Sequence, residues 1–384
     1  MLAAGSRQAG NVVDSLEYVP GTAVWGALAT AFVIDKGGRL RGTDRQRFDE
    51  LFHGQGLRFG NLYPCHLEAG DRLFPSLPIP RSALTCRSSP GFQLDEAPSA
   101  GNEDLSHGVA DSLLLGVSRH GKCERCDGRC EPLDGFYCVT KKRQEAYPGR
   151  EAGVRSVVPR MRSTMHNKIE DTTGLTERGN LFGLTSLESG QYLSGMISVP
   201  EAANIDGVWP EEQWFPIVLG KGKSKQGTAV AHIEEVAAEV ALRDLWDQTL
   251  KDRLSNIQEL SFTLTLISDA IVMDNWLLFH VGISPLLAEW SRLCGAKEIE
   301  QVKAFTGYRR FSGWSGIDRR PRGEQAALIK GSCFHLKVVG ADPNKLANLL
   351  TNVETEGIGF RRNEGFGSVL INDSFHRLVQ ELVV

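Results

Sequence analysis

The chain has 384 residues, 41% of them hydrophobic, and a net charge of −4 at pH 7. This length exceeds what one hydrophobic core usually supports, so two domains are expected. The mild acidity excludes binding of nucleic acid over the whole surface and confines any RNA contact to a local stripe. The sequence has no apolar run long enough for a membrane span and no secretory signal, which predicts a cytoplasmic protein without a membrane partner.

The first predicted element is a helix over residues 23–34, which combine helix-forming and apolar side chains. Thr22 is expected to accept backbone N–H groups at its start, and Gly37 and Gly38 to end it. Two interpretations of its N-terminus stay open. Either it begins a buried core helix, or Gly21 and Thr22 present the exposed amides to a phosphate group of RNA.

A loop-rich insertion without a core of its own is predicted at about residues 62–150. Hydrophobic periodicity decays there, and six prolines lie between positions 64 and 98. Because so few apolar side chains are available for burial, the insertion needs another source of folding free energy.

Four cysteines in the insertion indicate a structural zinc site, with Cys123, Cys126, Cys130 and Cys138 as the predicted ligands. A Cys-x-x-Cys pair folds back so that both sulfurs face one ion, and zinc binding then stabilises the segment. Free thiols are the alternative. Three further residues are near enough in sequence to replace Cys130 or Cys138: Cys86, His107 and His120.

Basic residues follow the insertion and predict a surface that tracks phosphates. Seven of them lie between positions 141 and 162, ahead of His166 and Lys168. Lys221, Lys223 and Lys225 alternate with glycine and serine, so an extended loop would place their ammonium groups on one side. A solvated face is the other interpretation of these charges.

The second half of the chain is predicted to begin with a linking helix over residues 232–258. A half-buried strand follows at residues 260–266, where apolar side chains alternate with serine and threonine. Residues 326–339 form another strand-like run. Asp342 and Pro343 then open a helix that Gly357 closes.

A glycine-rich run at residues 357–367 precedes the last predicted strand. Glycine lets a backbone approach closely, and arginine offers a fork of donors matched to phosphate oxygens, so this run predicts RNA contact. The residues expected to contact RNA here are Gly357, Gly359, Arg361, Arg362, Gly365 and Gly367.

Three segments of the sequence resemble one family. The run 357–367 resembles the GIGxRRxEGFG loop that closes the ferredoxin-like modules of the RAMP superfamily, the RNA-binding subunits of CRISPR effector complexes. Residues 18–29, YVPGTAVWGALA, resemble the family's entry to its first helix, and residues 164–182 resemble a further family segment. The chain is most similar to the large two-module RAMP subunit of type III-D complexes, and the resemblance weakens in the cysteine-rich insertion.

The resemblance implies an α+β fold with two ferredoxin-like (RRM-like) modules and a zinc-binding, loop-rich insertion in the first. The first module is expected at residues 1–231 and the second at residues 259–384, joined by the helix at 232–258. The first strand is expected to be truncated. The implied partners are guide RNA, target RNA, other RAMP subunits and the large subunit of the complex.

Two functions follow from the resemblance. The first is a non-catalytic subunit that grips guide RNA and docks neighbouring RAMP subunits. The alternative is a ribonuclease subunit, because backbone RAMP proteins cleave target RNA with an aspartate before the proline-glycine entry, and Asp14 occupies a comparable place. The sequence offers no second catalytic group by spacing.

Overall fold

A computed structural model describes most of the chain, with side chains at most of these positions. The described residues are 7–9, 12–53, 56–68, 72–92, 106–114, 122–123, 125–141, 152–169, 176–200, 203–209, 214–220, 227–235, 261–312, 314–315, 320–321 and 323–381. Within these ranges, no helix is both long and apolar enough to cross a membrane. The predicted linking helix and the loop with Lys221, Lys223 and Lys225 lie outside the described residues.

The chain divides into two compact units. Unit 1 contains Met1–Pro75, Val158–Glu235 and Asn363–Gly365, and unit 2 contains Ser76–Val157, Val236–Arg362 and Phe366–Val384. The predicted insertion therefore interrupts the first module in sequence, while from Ser76 onward it belongs to the second unit in space.

Unit 1 contains two helices, α1 (Gly21–Asp35) and α2 (Gly42–Phe52). The strands of unit 1 are β1 (Arg7–Ala9), β2 (Val12–Asp14), β3 (Arg58–Phe59), β4 (Tyr63–Pro64), β5 (His66–Glu68), β6 (Arg72–Phe74), β13 (Met161–Ile169), β14 (Thr176–Leu187), β15 (Leu193–Ser194), β16 (Ile197–Ser198), β17 (Phe215–Val218) and β18 (Thr228–Ala231).

The main sheet of unit 1 has the strand order β1-β2-β14-β13. Strands β13 and β14 form a long antiparallel pair, whereas β1 and β2 form a hairpin of three-residue strands. Strand β2 runs parallel to β14. Next to the sheet, α1 and α2 bury a core centred on Phe32, Phe52 and Phe59.

Helix α1 begins without the predicted side-chain cap. Pro20 occupies the N-cap position and offers no side-chain hydrogen bond, so the capping role expected of Thr22 is wrong. The Gly21 N–H instead donates to Asn61 Oδ1 at 2.8 Å. A side chain forty positions away supplies the acceptor, which spacing near the helix could not reveal. The predicted end is confirmed, since Gly37 and Gly38 adopt positive φ.

Unit 2 contains the helices α3 (Ser284–Cys294), α4 (Pro343–Glu356) and α5 (Phe375–Glu381) and a short 3-10 helix that begins at Arg362. Its strands are β7 (Leu77–Pro78), β8 (Ala83–Cys86), β9 (Val109–Asp111), β10 (Cys130–Pro132), β11 (Phe136–Lys141), β12 (Ala152–Val157), β19 (Ser261–Leu266), β20 (Val272–Met273), β21 (Phe279–His280), β22 (Glu298–Phe305), β23 (Tyr308–Phe311), β24 (Trp314–Ser315), β25 (Arg320–Pro321), β26 (Gln325–Leu328), β27 (Cys333–Val339) and β28 (Val369–Ile371).

The centre of unit 2 follows the order β19-α3-β22-β27-α4-β28, and its sheet has the strand order β22-β27-β19-β28. This is the βαββαβ arrangement of a ferredoxin-like module. Helix α4 has the predicted signals: the Asp342 carboxylate accepts from the backbone N–H groups of Asn344 and Lys345, and Gly357 follows the last turn. The two-module layout of the whole chain stays a prediction.

The sheet of unit 2 is covered on both faces. Phe262 and Leu264 of β19 pack towards α3 and α4. Leu370 packs on the opposite side with Tyr137 from the insertion and Phe375 from α5. The insertion therefore contributes apolar side chains to a core that it shares with the sheet and α5 of unit 2. Strand β19 was expected to be half-buried because its apolar and polar residues alternate. It is buried after its first residue, because both faces of the sheet are covered.

A buried polar network ties the insertion to the C-terminal helix. His376 Nδ1 lies 2.9 Å from Asp111 Oδ2, and His376 Nε2 lies 2.9 Å from Thr265 Oγ1. The Tyr137 hydroxyl donates to the Asp373 carboxylate at 2.8 Å. Burial alone would lower the pKa of His376, but Asp111 and then Asp373 raise it overall. The carboxylate–imidazole–hydroxyl order is that of an acid–base triad, yet all three groups are buried and inaccessible to a substrate.

Candidate metal centre and nucleic-acid interface

Four ligand groups of unit 2 converge: Cys86, His107, Cys123 and Cys126. Their ligand atoms all lie within 4.8 Å of one another. Cys86 Sγ is 3.6 Å from Cys126 Sγ, and Cys123 Sγ is 3.3 Å from His107 Nδ1. Tetrahedral Zn²⁺ with its usual bond lengths separates its ligand atoms by about 3.3–3.8 Å, so the arrangement fits a four-coordinate Cys3His site. The cysteines carry no disulfide.

The local backbone explains why Cys123 and Cys126 face the same point. The Asp127 N–H donates to the Cys123 carbonyl at 2.9 Å, and the Cys123 N–H donates to the Gly128 carbonyl at 2.7 Å. Asp127 adopts a φ of +53°, which turns the chain back after the second cysteine. Cys86 reaches the same place from the end of β8. The cluster is therefore built by one tight turn and one strand end.

The protein backbone favours a thiolate at this site. A backbone hydrogen bond from Ser89 is the largest influence on Cys86 and lowers the pKa of its thiol to about 6. A backbone hydrogen bond from Gly128 lowers the pKa of Cys126, but the neighbouring Cys86 and Cys123 raise it overall. Metal binding requires deprotonated thiols, and a cation would remove the repulsion among the three sulfurs.

The structure brings together half of the predicted ligand set. Cys123 and Cys126 belong to the cluster, and they lie with Cys86 and His107, two of the three alternatives named from the sequence. Cys130 and Cys138 lie on β10 and β11, outside the group. The third alternative, His120, lies outside the described residues. Spacing identified the adjacent pair, whereas the other two ligands come from segments that only the fold brings near.

The five predicted glycines each approach protein backbone. A Cβ on Gly21 would lie 2.1 Å from the Phe59 carbonyl oxygen, and one on Gly365 would lie 2.7 Å from the Gly21 Cα. Equally close contacts occur at the others: a Cβ on Gly357 would meet the Gly367 carbonyl, one on Gly359 the Ile271 carbonyl, and one on Gly367 the Ile358 carbonyl. Protein backbone therefore accounts for the absence of side chains at these positions.

The two arginines of the glycine-rich run also have partners within unit 2. Arg361 Nη1 donates to Gln325 Oε1 at 2.6 Å, and its guanidinium lies 5.0 Å from the centre of the Phe366 ring. Arg362 Nη1 lies 3.2 Å from Glu356 Oε2. These contacts occupy N–H donors of both guanidinium groups. Contact between the run and RNA stays a prediction.

Strand β13 presents the other predicted RNA contacts. Arg162 is exposed, and His166 lies two positions beyond Thr164 on the same face of the strand. The Thr164 hydroxyl lies 3.1 Å from His166 Nε2. Met165, on the opposite face, is 69% exposed. Lys168 belongs to the same strand. The strand is at the edge of the described sheet.

Asp14 ends strand β2 and is exposed. The Thr185 hydroxyl donates to Asp14 Oδ1 at 3.0 Å. Among the described residues, Asp14 belongs to no group of three or more metal-ligating side chains. The geometry thus gives this carboxylate a hydroxyl neighbour without a metal-binding set around it.

The sequence matches the family Cas_Cmr3, described as "CRISPR-associated protein (Cas_Cmr3)", over residues 7–373. The chain belongs to the Cas_Cmr3 family. This match confirms the expected class, a type III CRISPR-associated protein of the RAMP kind, and does not establish the type III-D subtype. A search of curated proteins gave no significant match.

Solved structures of CRISPR proteins are similar to this Cas_Cmr3 chain at low identity. A chain of the type III-B Cmr-beta complex bound to cognate target RNA and AMPPnP is 10% identical, with a TM-score of 0.40, over 87% of this chain and 83% of that one. Thermus thermophilus Cas6 is 10% identical, with a TM-score of 0.26, over 45% of this chain and 84% of that one. The family match alone carries the identification.

Proposed function

We propose that this Cas_Cmr3 protein is a non-catalytic, RNA-binding subunit of a type III CRISPR effector complex. It holds guide RNA, lies close to target RNA, and docks neighbouring RAMP subunits and the large subunit. The observation that carries the proposal is the family match over residues 7–373. The finer assignment to a type III-D complex rests on the sequence resemblance.

The proposed RNA surface is the edge of unit 1 at β13. The chain is acidic overall, so RNA needs a local basic stripe. Arg160 and Arg162 precede His166 and Lys168 on this segment, and all four have even numbers, so along an extended strand they lie on one face. In this proposal, Lys221, Lys223 and Lys225 also contact phosphates, while the glycine-rich run supports the fold through its backbone contacts and offers the guanidinium groups of Arg361 and Arg362.

A filter-binding titration of guide RNA at several salt concentrations tests the proposal. Alanine at Arg162, Lys168, Lys221, Lys223 and Lys225 should weaken binding of all sequences alike. It should also flatten the slope of log K against log salt by about 0.7 per lost phosphate contact. The control is Arg45→Ala on α2, an exposed arginine that pairs with Asp49 of its own helix. Unchanged affinity in a folded five-residue variant would contradict the proposed surface.

We also propose that the Cys3His cluster holds a structural zinc ion. Three thiolates and one imidazole in a closed, four-ligand set suit zinc and leave no open position for a substrate. Bound zinc would connect the end of β8, His107 and the Cys123–Cys126 turn, and so stabilise the insertion. This role is separate from RNA binding.

A further inference from the structure

The hairpin of β20 and β21 in unit 2 exposes an unusual amount of apolar surface. At its tip, Trp276 is 83% exposed, Leu277 68% and Leu278 62%. Phe279 and Val281 continue the apolar surface towards the base. Single exposed apolar residues are common, but a contiguous set on one projection is typical of a surface that a partner covers.

The tip is held in one conformation by Asp274. Its Oδ1 accepts from the backbone N–H groups of Trp276 at 2.8 Å and Leu278 at 3.0 Å. Its Oδ2 lies 3.0 Å from His280 Nε2, and this hydrogen bond is the main cause of the lowered pKa of Asp274. At the base, Ile271 pairs with Phe360 in a β-bridge. The apolar side chains are therefore presented on a fixed support, which reduces the entropy cost of binding.

Leu277 adopts a left-handed conformation with a φ of +61°. This conformation is unfavourable for a non-glycine residue, and glycine or asparagine would occupy it at lower cost. The turn nevertheless carries leucine, with its side chain in water. Burial of this side chain in a partner would offset the strain.

The charge of the hairpin distinguishes a protein partner from RNA. Residues 270–283 contain one aspartate and one histidine, and neither lysine nor arginine. RNA-binding surfaces need cations for the phosphates, and aliphatic leucines do not stack on bases as aromatic rings do. Protein interfaces, in contrast, concentrate tryptophan and other large apolar side chains at a centre depleted of charge.

We propose that the hairpin tip is a protein-docking anchor, which inserts Trp276, Leu277 and Leu278 into an apolar cleft on a neighbouring subunit of the effector complex. The rim of that cleft is uncharged or basic, to match Asp274. The proposal rests on the proposed function, because it assigns the surface by which this subunit joins its complex.

Photo-cross-linking in the assembled complex tests the anchor directly. The photoreactive residue p-benzoylphenylalanine is placed at position 277, and the complex is purified with its guide RNA through a tag on this chain. We expect a cross-link to one other protein subunit. A cross-link to RNA, a cross-link to a second copy of this chain, or no cross-link would overturn the proposal.

A variant with Leu277→Asp and Leu278→Asp provides the second measurement. Its association with the cross-linked subunit should weaken at least about tenfold, as for the loss of an interface hot spot. The matched control is Leu293→Asp on α3, where the leucine is 54% exposed and lies away from the tip in sequence. Both variants should melt like the wild type. If the hairpin variant and the wild type associated equally well with the cross-linked subunit, the proposed anchor would be overturned.

The guide-RNA content of the same samples separates the two proposals. A wild-type complex that contains guide RNA, together with a negative cross-linking result, overturns the anchor and leaves the proposed function intact. A wild-type chain that assembles with no guide RNA and no other subunit overturns the proposed function itself.

Discussion

The cysteine–histidine cluster and the glycine-rich run differ in what their residues face. In the cluster, four ligand atoms point at one another around a common centre within 4.8 Å. In the run, the absent side chains of Gly365 and Gly367 make room for the carbonyl oxygens of Phe59 and Ile358. Cysteine and histidine side chains that converge without a disulfide between them indicate a metal ion. A glycine indicates only that another group approaches its backbone closely, and that group can be protein or ligand.

The largest expected effect of a substitution is at the metal centre. We expect the wild-type protein to hold about one zinc ion per chain, and Cys86→Ser or Cys123→Ser to release it. Since structural zinc contributes about 10 kcal/mol to folding in small domains, the insertion should lose its order. Elemental analysis and limited proteolysis measure both effects.

The control for the metal centre is Cys130→Ser, which should retain the ion. Zinc that survives Cys86→Ser but is lost in Cys130→Ser would restore the ligand set predicted from spacing. A zinc-free wild-type protein that unfolds cooperatively would exclude the metal.

The insertion has a second anchor in His376, which pairs with Asp111. His376→Gln should lower the free energy of unfolding by about 3–5 kcal/mol near pH 5.5, because it leaves the Asp111 carboxylate buried without its partner. The raised pKa of His376 gives a contribution that is complete below about 6.5 and is lost as pH rises through the native pKa. The pKa of Asp111 is lowered against the effect of burial, chiefly by His376, so its contribution is lost towards acid, below about 3.8.

Urea denaturation of wild type and His376→Gln at pH 3, 5.5 and 8.5 measures this window. The control is His335→Gln on β27, where burial and then Lys303 lower the pKa of the imidazole. The difference in free energy of unfolding between wild type and His335→Gln should rise with pH, whereas the difference for His376→Gln should fall. A constant difference between wild type and His376→Gln across the range would show that the pair does not titrate as described.

Gly365→Ala tests whether the glycine-rich run serves packing. The added Cβ would lie 2.5 Å from the Phe59 carbonyl oxygen, at a φ of +91°. We expect a loss of about 2–3 kcal/mol in thermal or chemical unfolding. Gly26→Ala in α1 is the control, because nothing lies within 4 Å of its Cβ position, and it should gain up to about 1 kcal/mol. If Gly365→Ala kept wild-type stability but bound guide RNA more weakly, the result would instead support contact between the glycine-rich run and RNA.

The smallest expected effect is at Asp14. Asp14→Asn should leave target-RNA cleavage by the purified complex unchanged and should alter stability by no more than about 0.5 kcal/mol, because the side chain is exposed. Cleavage products are compared on a denaturing gel, with guide-RNA content as the assembly control. Loss of one cleavage product from an intact complex would support the ribonuclease alternative.

Local signals in the sequence predicted the elements that depend on neighbouring residues. Helix α4 begins after Asp342 and ends before Gly357, as its capping residues indicate. The pairing of Cys123 with Cys126 follows from their spacing alone. Long-range partners were not predictable: Cys86 lies 40 positions before Cys126, and Asn61 lies 40 positions after Gly21. The burial of Thr265 was not predictable either, because it depends on distant residues of α5 and the insertion.

The covered sheet of unit 2 has a consequence for synthesis of the chain. Tyr137 and Asp373 are 236 residues apart, although their side chains are in contact. At about 5–20 residues per second on the ribosome, the insertion emerges roughly 10–50 s before the helix that completes its core. During this interval, its apolar side chains lack the part of their shared core that Leu370 and Phe375 supply. A chaperone that binds nascent chains is therefore expected to engage residues 76–157, and premature termination before Phe375 should leave an aggregation-prone product.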